Sequence, residues 1–465
     1  MTFILPLAHA LVARKDLAIP AWLFAWGASL VLILSFFALS AAWRKPRFEK
    51  DHWRALGAGF SRVLLSAPVQ IVCGAIGVFL LGLSVYAGLQ GTEAPDRNFA
   101  LTFLFVTAWL GFPVFSVVLG DVFRPFNPWR AVGRAVGGAF SAVAGQRPAH
   151  LSYPERLGRW PAALGLLAVV WLEVVYGASG GVAVGLSPHA AGLAALLYSL
   201  YTMLMMALFG VDKWCRTGEV FSVYFGMFSQ LGVFAAEDGR LGRRRPLAAA
   251  SHWATIPGSA AVVIASIAST SFDGAQEGAF KGAIKQTFEW LVDAGLSLTT
   301  SLRLTDTIFM VLCFLGVGLV YMIGVRGMAT VRGAPPLKKL RSGFAHTLIP
   351  IAFAYLVAHY FSLFVFQEQA QFTYLLSDPL GTATTDLFGT ASGGIDFKIL
   401  SAYAIWYVQV AALVIGHVAG LTLAHDRAIV YWGDYRQAAR SQYWMLAVMV
   451  AFTCFGLYLL SVANG

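Results

Sequence analysis

Charge is what this chain has least of. Asp, Glu, Lys and Arg make up 12% of its 465 residues, where a soluble chain carries about a quarter. With 58% hydrophobic residues and a mean hydropathy of +0.69, that shortage excludes an ordinary water-soluble fold. Short alternating segments of the kind that build an outer-membrane barrel are also missing. The four cysteines, Cys73, Cys215, Cys313 and Cys454, show no CxxC or Cys/His zinc spacing, so buried free thiols are expected. HExxH and paired histidines at i,i+4 are absent, which removes the usual helical zinc motif. Low-complexity tracts, internal repeats and a soluble domain are not found, and residues 1–465 read as one integral membrane domain. The opening "MTFILPLAHA" contains a cleavage-like "AHA", but it has no basic stretch and only seven residues before it. It reads as retained rather than as a secretory signal.

What is present is a series of long apolar runs. Ten of them, at 20–43, 63–89, 100–120, 161–184, 190–210, 255–271, 306–325, 343–366, 399–423 and 442–462, approach the ~20 residues a helix needs to cross ~30 Å of hydrocarbon. The expected fold is all-α: a polytopic transmembrane helix bundle of about ten spans. The sixth run is the poorest, being short and rich in Ala and Ser. Loops 44–62, 121–160, 211–254, 326–342 and 424–441 hold 26 of the 33 Lys and Arg. The positive-inside rule then places both termini outside. The net charge of +10 lies in loops on one side, so it marks a lipid bilayer and not nucleic acid as the partner. Within the loops, "DVFRPFNPWRAVGRAVGG" from 121 suits the headgroup region, and 218–239 is apolar enough to lie on the membrane. The segment 277–298 puts Phe280, Ile284, Phe288 and Leu291 on one helical face and could cap the bundle. The outer loop 377–398 is rich in Gly, Thr and Asp and long for a passive connector.

Ionisable side chains inside hydrocarbon are costly, which makes each a functional candidate. Glu173 sits mid-run, His346 and His359 share the eighth run, Tyr407, Gln409 and His417 share the ninth, and His425 lies just past its inner end. At ~1.5 Å per residue His359 lies ~20 Å further out than His346. Glu173, His359 and Gln409 then share a middle-to-outer layer, and His346, His417 and His425 an inner one. At 100° per residue His346 and His359 point ~140° apart, and His417 and His425 ~80° apart. One ion cannot take all four, so each layer offers two or three ligands at most. The alternative for each histidine is a single hydrogen bond that staples two helices. His425-Asp426-Arg427 reads as a membrane-edge feature, and His9 as a solvated group near the outer surface. Gly416 and Gly420 form GxxxG around His417, which admits a close neighbour. Met203, Met205 and Met206 could bind a soft metal such as copper or simply fill apolar gaps.

Several stretches together carry a family resemblance: "PAWLFAWGASLVLILSF", "NPWRAVGRAVG", "LIPIAFAYLVAHYFSLFVFQEQ", "LLSDPLG" and "IWYVQVAALVIGHVAGLTLAHDRA". They resemble the multipass bacterial membrane proteins known as fenitrothion hydrolase, from about residue 8 to the end. The resemblance implies a bacterial cytoplasmic (inner) membrane protein that hydrolyses organophosphate triesters and releases a substituted phenol. Such chemistry needs an activated water and a group that polarises the phosphoryl oxygen, and a divalent metal supplies both. On that expectation Glu173, His359 and His417 are the catalytic residues, and the same three with His346 and His425 are the metal ligands. Asp378 and Asp396 on the outer loop are second choices. A small apolar substrate would enter from the bilayer. Two other classes stay open. One is a proton- or copper-linked membrane transporter; the other is a membrane subunit that organises a larger complex, for which no haem-specific histidine spacing is found.

Overall fold

The computed structural model describes residues 21–49, 53–177, 185–253, 256–276, 278 and 280–463. His9 and residues 178–184 of the fourth run lie outside the described residues. Each of the ten apolar runs falls on a helix, and the ends explain themselves locally. Helices α1 (Ala21–Ala42), α2 (Ala67–Gln90) and α3 (Phe99–Leu119) come first. Asn98 starts α3 by accepting from Ala100 N, while its amide closes on Ala87 O and Thr92 O. Next are α4 (Pro128–Ala144), begun by the Asn127 cap and a first-turn proline, then α5 (Trp160–Tyr176) and α6 (Pro188–Phe209). They are followed by α7 (Val220–Ser229), α8 (Ser259–Gln276), α9 (Lys281–Asp293) and α10 (Leu298–Ala329). The chain ends in α11 (Ile349–Ala370), α12 (Ala402–Trp432) and α13 (Tyr435–Ala463).

Among the described residues seven helices are long and apolar enough to cross a membrane, counting α11 with its flanking turns. The protein is membrane-embedded. Long, exposed Leu, Val, Ile and Phe side chains cover α1, α2, α6 and α10, the surface a lipid solvent requires. Among the described residues, sheet is confined to three short antiparallel strands: β1 (Arg54–Ala55), β2 (Phe234–Glu237) and β3 (Arg240–Arg243), in the order β1-β3-β2. Asp238 and Gly239, both at positive φ, make the tight turn between β2 and β3.

The poorest apolar run turns out to be the centre of the bundle. Sixteen of the eighteen residues of α8 are buried, and it packs against α5, α10, α11 and α13. A helix enclosed by other helices meets no lipid and needs small side chains for close approach, hence its Ala and Ser. Low hydropathy here reports enclosure. The segment 218–239 corrects another expectation: it does not lie on the membrane. Helix α7 is buried along most of its length and inserts among α3, α5 and α11. Glu219 caps it, accepting from Phe221 N, Ser222 N, the Tyr198 hydroxyl and the Asn127 amide at 2.7–3.1 Å. Four donors satisfy this fully buried carboxylate, so its work is anchoring. Helix α9 does turn Phe280, Ile284, Phe288 and Leu291 inward, against α10, with Phe280 on Phe309.

The five basic loops meet at one end. Trp43 donates to Asp426, Phe48 O contacts His252, Arg427 donates to Ser251 O, Arg159 stacks on Trp253, and Lys339 lies over Tyr431. Arg159 also donates to Ser259 Oγ at the start of α8; burial draws its guanidinium down to about 10, still charged at neutral pH. At the opposite end Thr92 N and Phe99 N bond Leu380 O and Pro379 O, and Arg97 lies over Tyr374.

Candidate functional site

Among the described residues, a cluster of ionisable side chains in the bundle interior is built on α8. Asp273, in the last turns of that helix, is 7% exposed. Its Oδ2 accepts from His359 Nε2 and from the Tyr360 hydroxyl, each at 2.8 Å. Its Oδ1 accepts from Gln276 at 3.2 Å. His359 and Tyr360 are consecutive on α11, so their side chains diverge by ~100°. They nonetheless reach one oxygen because α8 lies against α11 between them, and the two rings meet edge to face at 4.5 Å. Glu173 completes the group from α5. It interacts electrostatically with Asp273, and Tyr360 with both acids.

Local structure explains the placing of Glu173. The chain widens from α to π geometry over Trp171–Tyr176. A π turn adds a residue and rotates the side chains that follow, a device common at functional sites. Two more occur, at Thr102–Ala108 and Gln371–Leu375. The Trp171 indole donates to Thr307 on α10 at 2.8 Å, which ties this turn to its neighbour.

Of the expected site residues, Glu173 and His359 come together here. The other three histidines stand apart. His417 is fully buried; its Nδ1 bonds Leu413 O at 2.8 Å within its own helix, and its Nε2 has no partner. It lies beside the Tyr355 ring. His425 Nε2 bonds Trp43 O at 3.0 Å. His346 is buried in a tight turn within electrostatic range of Arg427 and His252, where a guanidinium opposes a second cation. Among the described residues no three His, Cys, Asp or Glu side chains are grouped so as to hold a metal ion. The side chains expected as metal ligands therefore do not fit a divalent metal as a set. Asp378 and Asp396 serve the outer loop: Asp378 accepts from Ala383 N and the Thr385 hydroxyl, both at 2.7 Å, and Asp396 from Lys398 N. Gln409 is buried on α12. Met203, Met205 and Met206 pack with the hydrophobic core, and all four cysteines are free.

Two expectations around His417 resolve differently. The GxxxG does admit its neighbour: a Cβ on Gly416 would run into Ala354 of α11, and one on Gly420 would press on Thr347 O in the turn that leads into α11. The triplet at 425–427 lies at the end where the basic loops meet and does more there than mark an edge. Helix α12 continues to Trp432, and Asp426, 1% exposed, accepts from Trp43 Nε1, Arg47 N and Phe48 N at 2.6–3.1 Å. It holds down the chain that leaves α1.

Sequence reasoning passed over Asp273 and Tyr360. The signal was present in "STSFDGAQ": Asp273 lies two residues past the end drawn for the sixth run, and that run was too short to span. Extending it to a full crossing length would have captured the acid.

A groove of 580 Å³ runs along the outside of α5. It is lined by Leu157, Trp160, Leu164, Ala168 and Leu172 opposite Tyr198 and Tyr201 of α6, with Val220 at its side. It is apolar and follows α5 toward the turn that carries Glu173. Compared with family models, curated proteins and solved structures, the chain matches none.

Proposed function

We propose that this is a ten-span protein of the bacterial cytoplasmic membrane, both termini outside, that moves a small apolar or amphiphilic solute in a step linked to proton movement. The observation that carries the reading is the Asp273 carboxylate, bonded at once to His359 and Tyr360 with Glu173 beside it. A carboxylate bonded to an imidazole and a phenol, with a second carboxyl group in electrostatic range, can hold a proton and pass it on. Buried ionisable groups facing a bundle interior mark such paths. The gathering of the five basic loops at one end supports a cytoplasmic face there. Helices α1 and α5 and the enclosed α8 supply the crossings beyond the seven apolar ones. An apolar solute would come from the bilayer along the groove on α5.

The test uses purified protein in vesicles with an entrapped pH indicator. A panel of lipophilic solutes, including a chromogenic phosphotriester and its phenol, is added outside. The expected result is a solute-evoked internal pH change, lost in Asp273→Asn and His359→Gln. Wild-type responses in both variants would end the reading.

A second reading keeps the resemblance to fenitrothion hydrolase. A histidine oriented by a carboxylate is the arrangement a general base needs, and Asp273–His359 has it. His359 would take a proton from water attacking a triester, with Asp273 as its positioning residue and no step routed through a metal. Phenol release in detergent, where no gradient exists, separates this reading from transport.

A further inference from the structure

A second polar cluster lies in the outer half of the bundle, where two of the π turns touch. Thr107 belongs to the turn Thr102–Ala108 and Gln371 to the turn Gln371–Leu375, and these segments pack together. Glu368 stands three residues before Gln371, on the same side of the helix, with the Thr107 hydroxyl beside its carboxyl. Glu368 Oε1, Gln371 Oε1 and Thr107 Oγ1 are all buried and make no hydrogen bond. Gln371 is 3% exposed. Buried acceptors are ordinarily satisfied, and each left unmade costs roughly 1–3 kcal/mol. The Thr107 hydroxyl is the one donor among them, and two buried acceptors beside a single hydroxyl are short of positive partners, the pattern of a site for a positive ligand.

The donor set defines that ligand. All three atoms are oxygens, two of them without a proton to give, which suits a hard cation and not zinc or copper, which prefer nitrogen or sulfur. One carboxylate supplies a single negative charge, whereas calcium takes six to eight oxygens with several carboxylates among them. Charge balance in an apolar interior therefore selects a monovalent ion. We infer that Glu368, Gln371 and Thr107 form a binding site for a monovalent alkali cation between the two π turns. Glu368 lies ~12 Å along α11 from Tyr360, at 1.5 Å per residue, so this site is separate from the Asp273 group. It does not rest on the transport reading: a protein that moved nothing would still bind the ion here.

The experiment is thermal unfolding of the purified full-length protein in detergent, with NaCl replaced stepwise by choline chloride at constant ionic strength. LiCl and KCl are run alongside. Binding to the folded state alone raises Tm with ligand concentration. The expected result is a saturable rise of about 3 °C or more with at least one alkali ion, absent with choline. Glu368→Gln should abolish it. Thr107→Val, a near-isosteric change that leaves the carboxylate in place, should raise the half-saturating concentration about tenfold, the equivalent of one lost contact. Asp273→Asn should keep the response. Identical melting in every chloride salt, or an unchanged response in both Glu368→Gln and Thr107→Val, would overturn the inference.

Discussion

Coupling between Asp273 and Tyr360 is the sharpest quantity this structure specifies. The Tyr360 hydroxyl gives its proton to a carboxylate oxygen at 2.8 Å, within a site that is nearly closed to solvent. Hydrogen bonds to charged groups contribute about 1.5–3 kcal/mol in soluble proteins, while bonds between membrane helices average ~0.6 and reach ~1.7 kcal/mol. The charge argues for the upper end of the membrane range and the partner's second donor, His359, for some redundancy. A coupling of about 1–1.5 kcal/mol follows. The two single variants will differ in character. Tyr360→Phe removes one donor and leaves the carboxylate with His359 and Gln276. Asp273→Ala removes the oxygen that His359 and Tyr360 share and should cost about 2–4 kcal/mol. The assay is a double-mutant cycle on Asp273→Ala and Tyr360→Phe, with reversible unfolding from mixed micelles followed by tryptophan fluorescence. A coupling below about 0.3 kcal/mol, the noise for independent sites, would refute the shared-oxygen geometry. His359→Gln should show coupling to Asp273→Ala of similar sign.

Three further outcomes are expected. Asp426→Ala strips the acceptor from Trp43 and two backbone amides and should cost about 2–4 kcal/mol; trypsin should then cut at Arg44–Arg47, and persistent resistance there would contradict the anchoring role. His417→Leu replaces a buried imidazole whose Nε2 is unsatisfied by an apolar side chain and should fall within about 1 kcal/mol of wild type or be stabilising; lost activity with intact stability would instead return His417 to the site. At the basic end, burial works to raise the Asp212 carboxyl, but the Arg134 and Arg130 guanidiniums outweigh it and hold it below its ordinary value. The folded state thus favours the ionised form, so this contribution is present above the ordinary carboxylate pKa of ~3.9 and is lost as pH falls through the lower folded value. Asp212→Asn should flatten that acidic limb of the stability profile, and an unaltered limb would show that the ion pairs with Arg130 and Arg134 contribute nothing.

Of the site, half was legible. Glu173 and His359 announce themselves because an acid and an imidazole are conspicuous in apolar runs. Their common partner did not, because Asp273 sits where the sixth run fades and hydropathy cannot tell an enclosed helix from a loop. His417 and His425 carried the same signal as His359, yet one bonds within its own helix and the other a backbone carbonyl. Helical angle and depth separate histidines on one helix, but which neighbour each faces depends on the packing of α8, α11 and α12. The segment 218–239 failed for a related reason. Its apolar face fits either lipid or protein, and only the buried Glu219 cap, assembled from residues as distant as Asn127 and Tyr198, draws it into the bundle.

Composition and periodicity by themselves determined that this is a helical membrane protein, where its apolar helices lie, and that its basic loops belong together, since hydrocarbon leaves the backbone few ways to satisfy its hydrogen bonds. The tertiary structure alone decided which polar groups share a site. A carboxylate buried in a bundle must find donors, and two of the three for Asp273 come from a helix more than eighty residues away along the chain. That pairing is a property of how helices cross, and no local pattern encodes it.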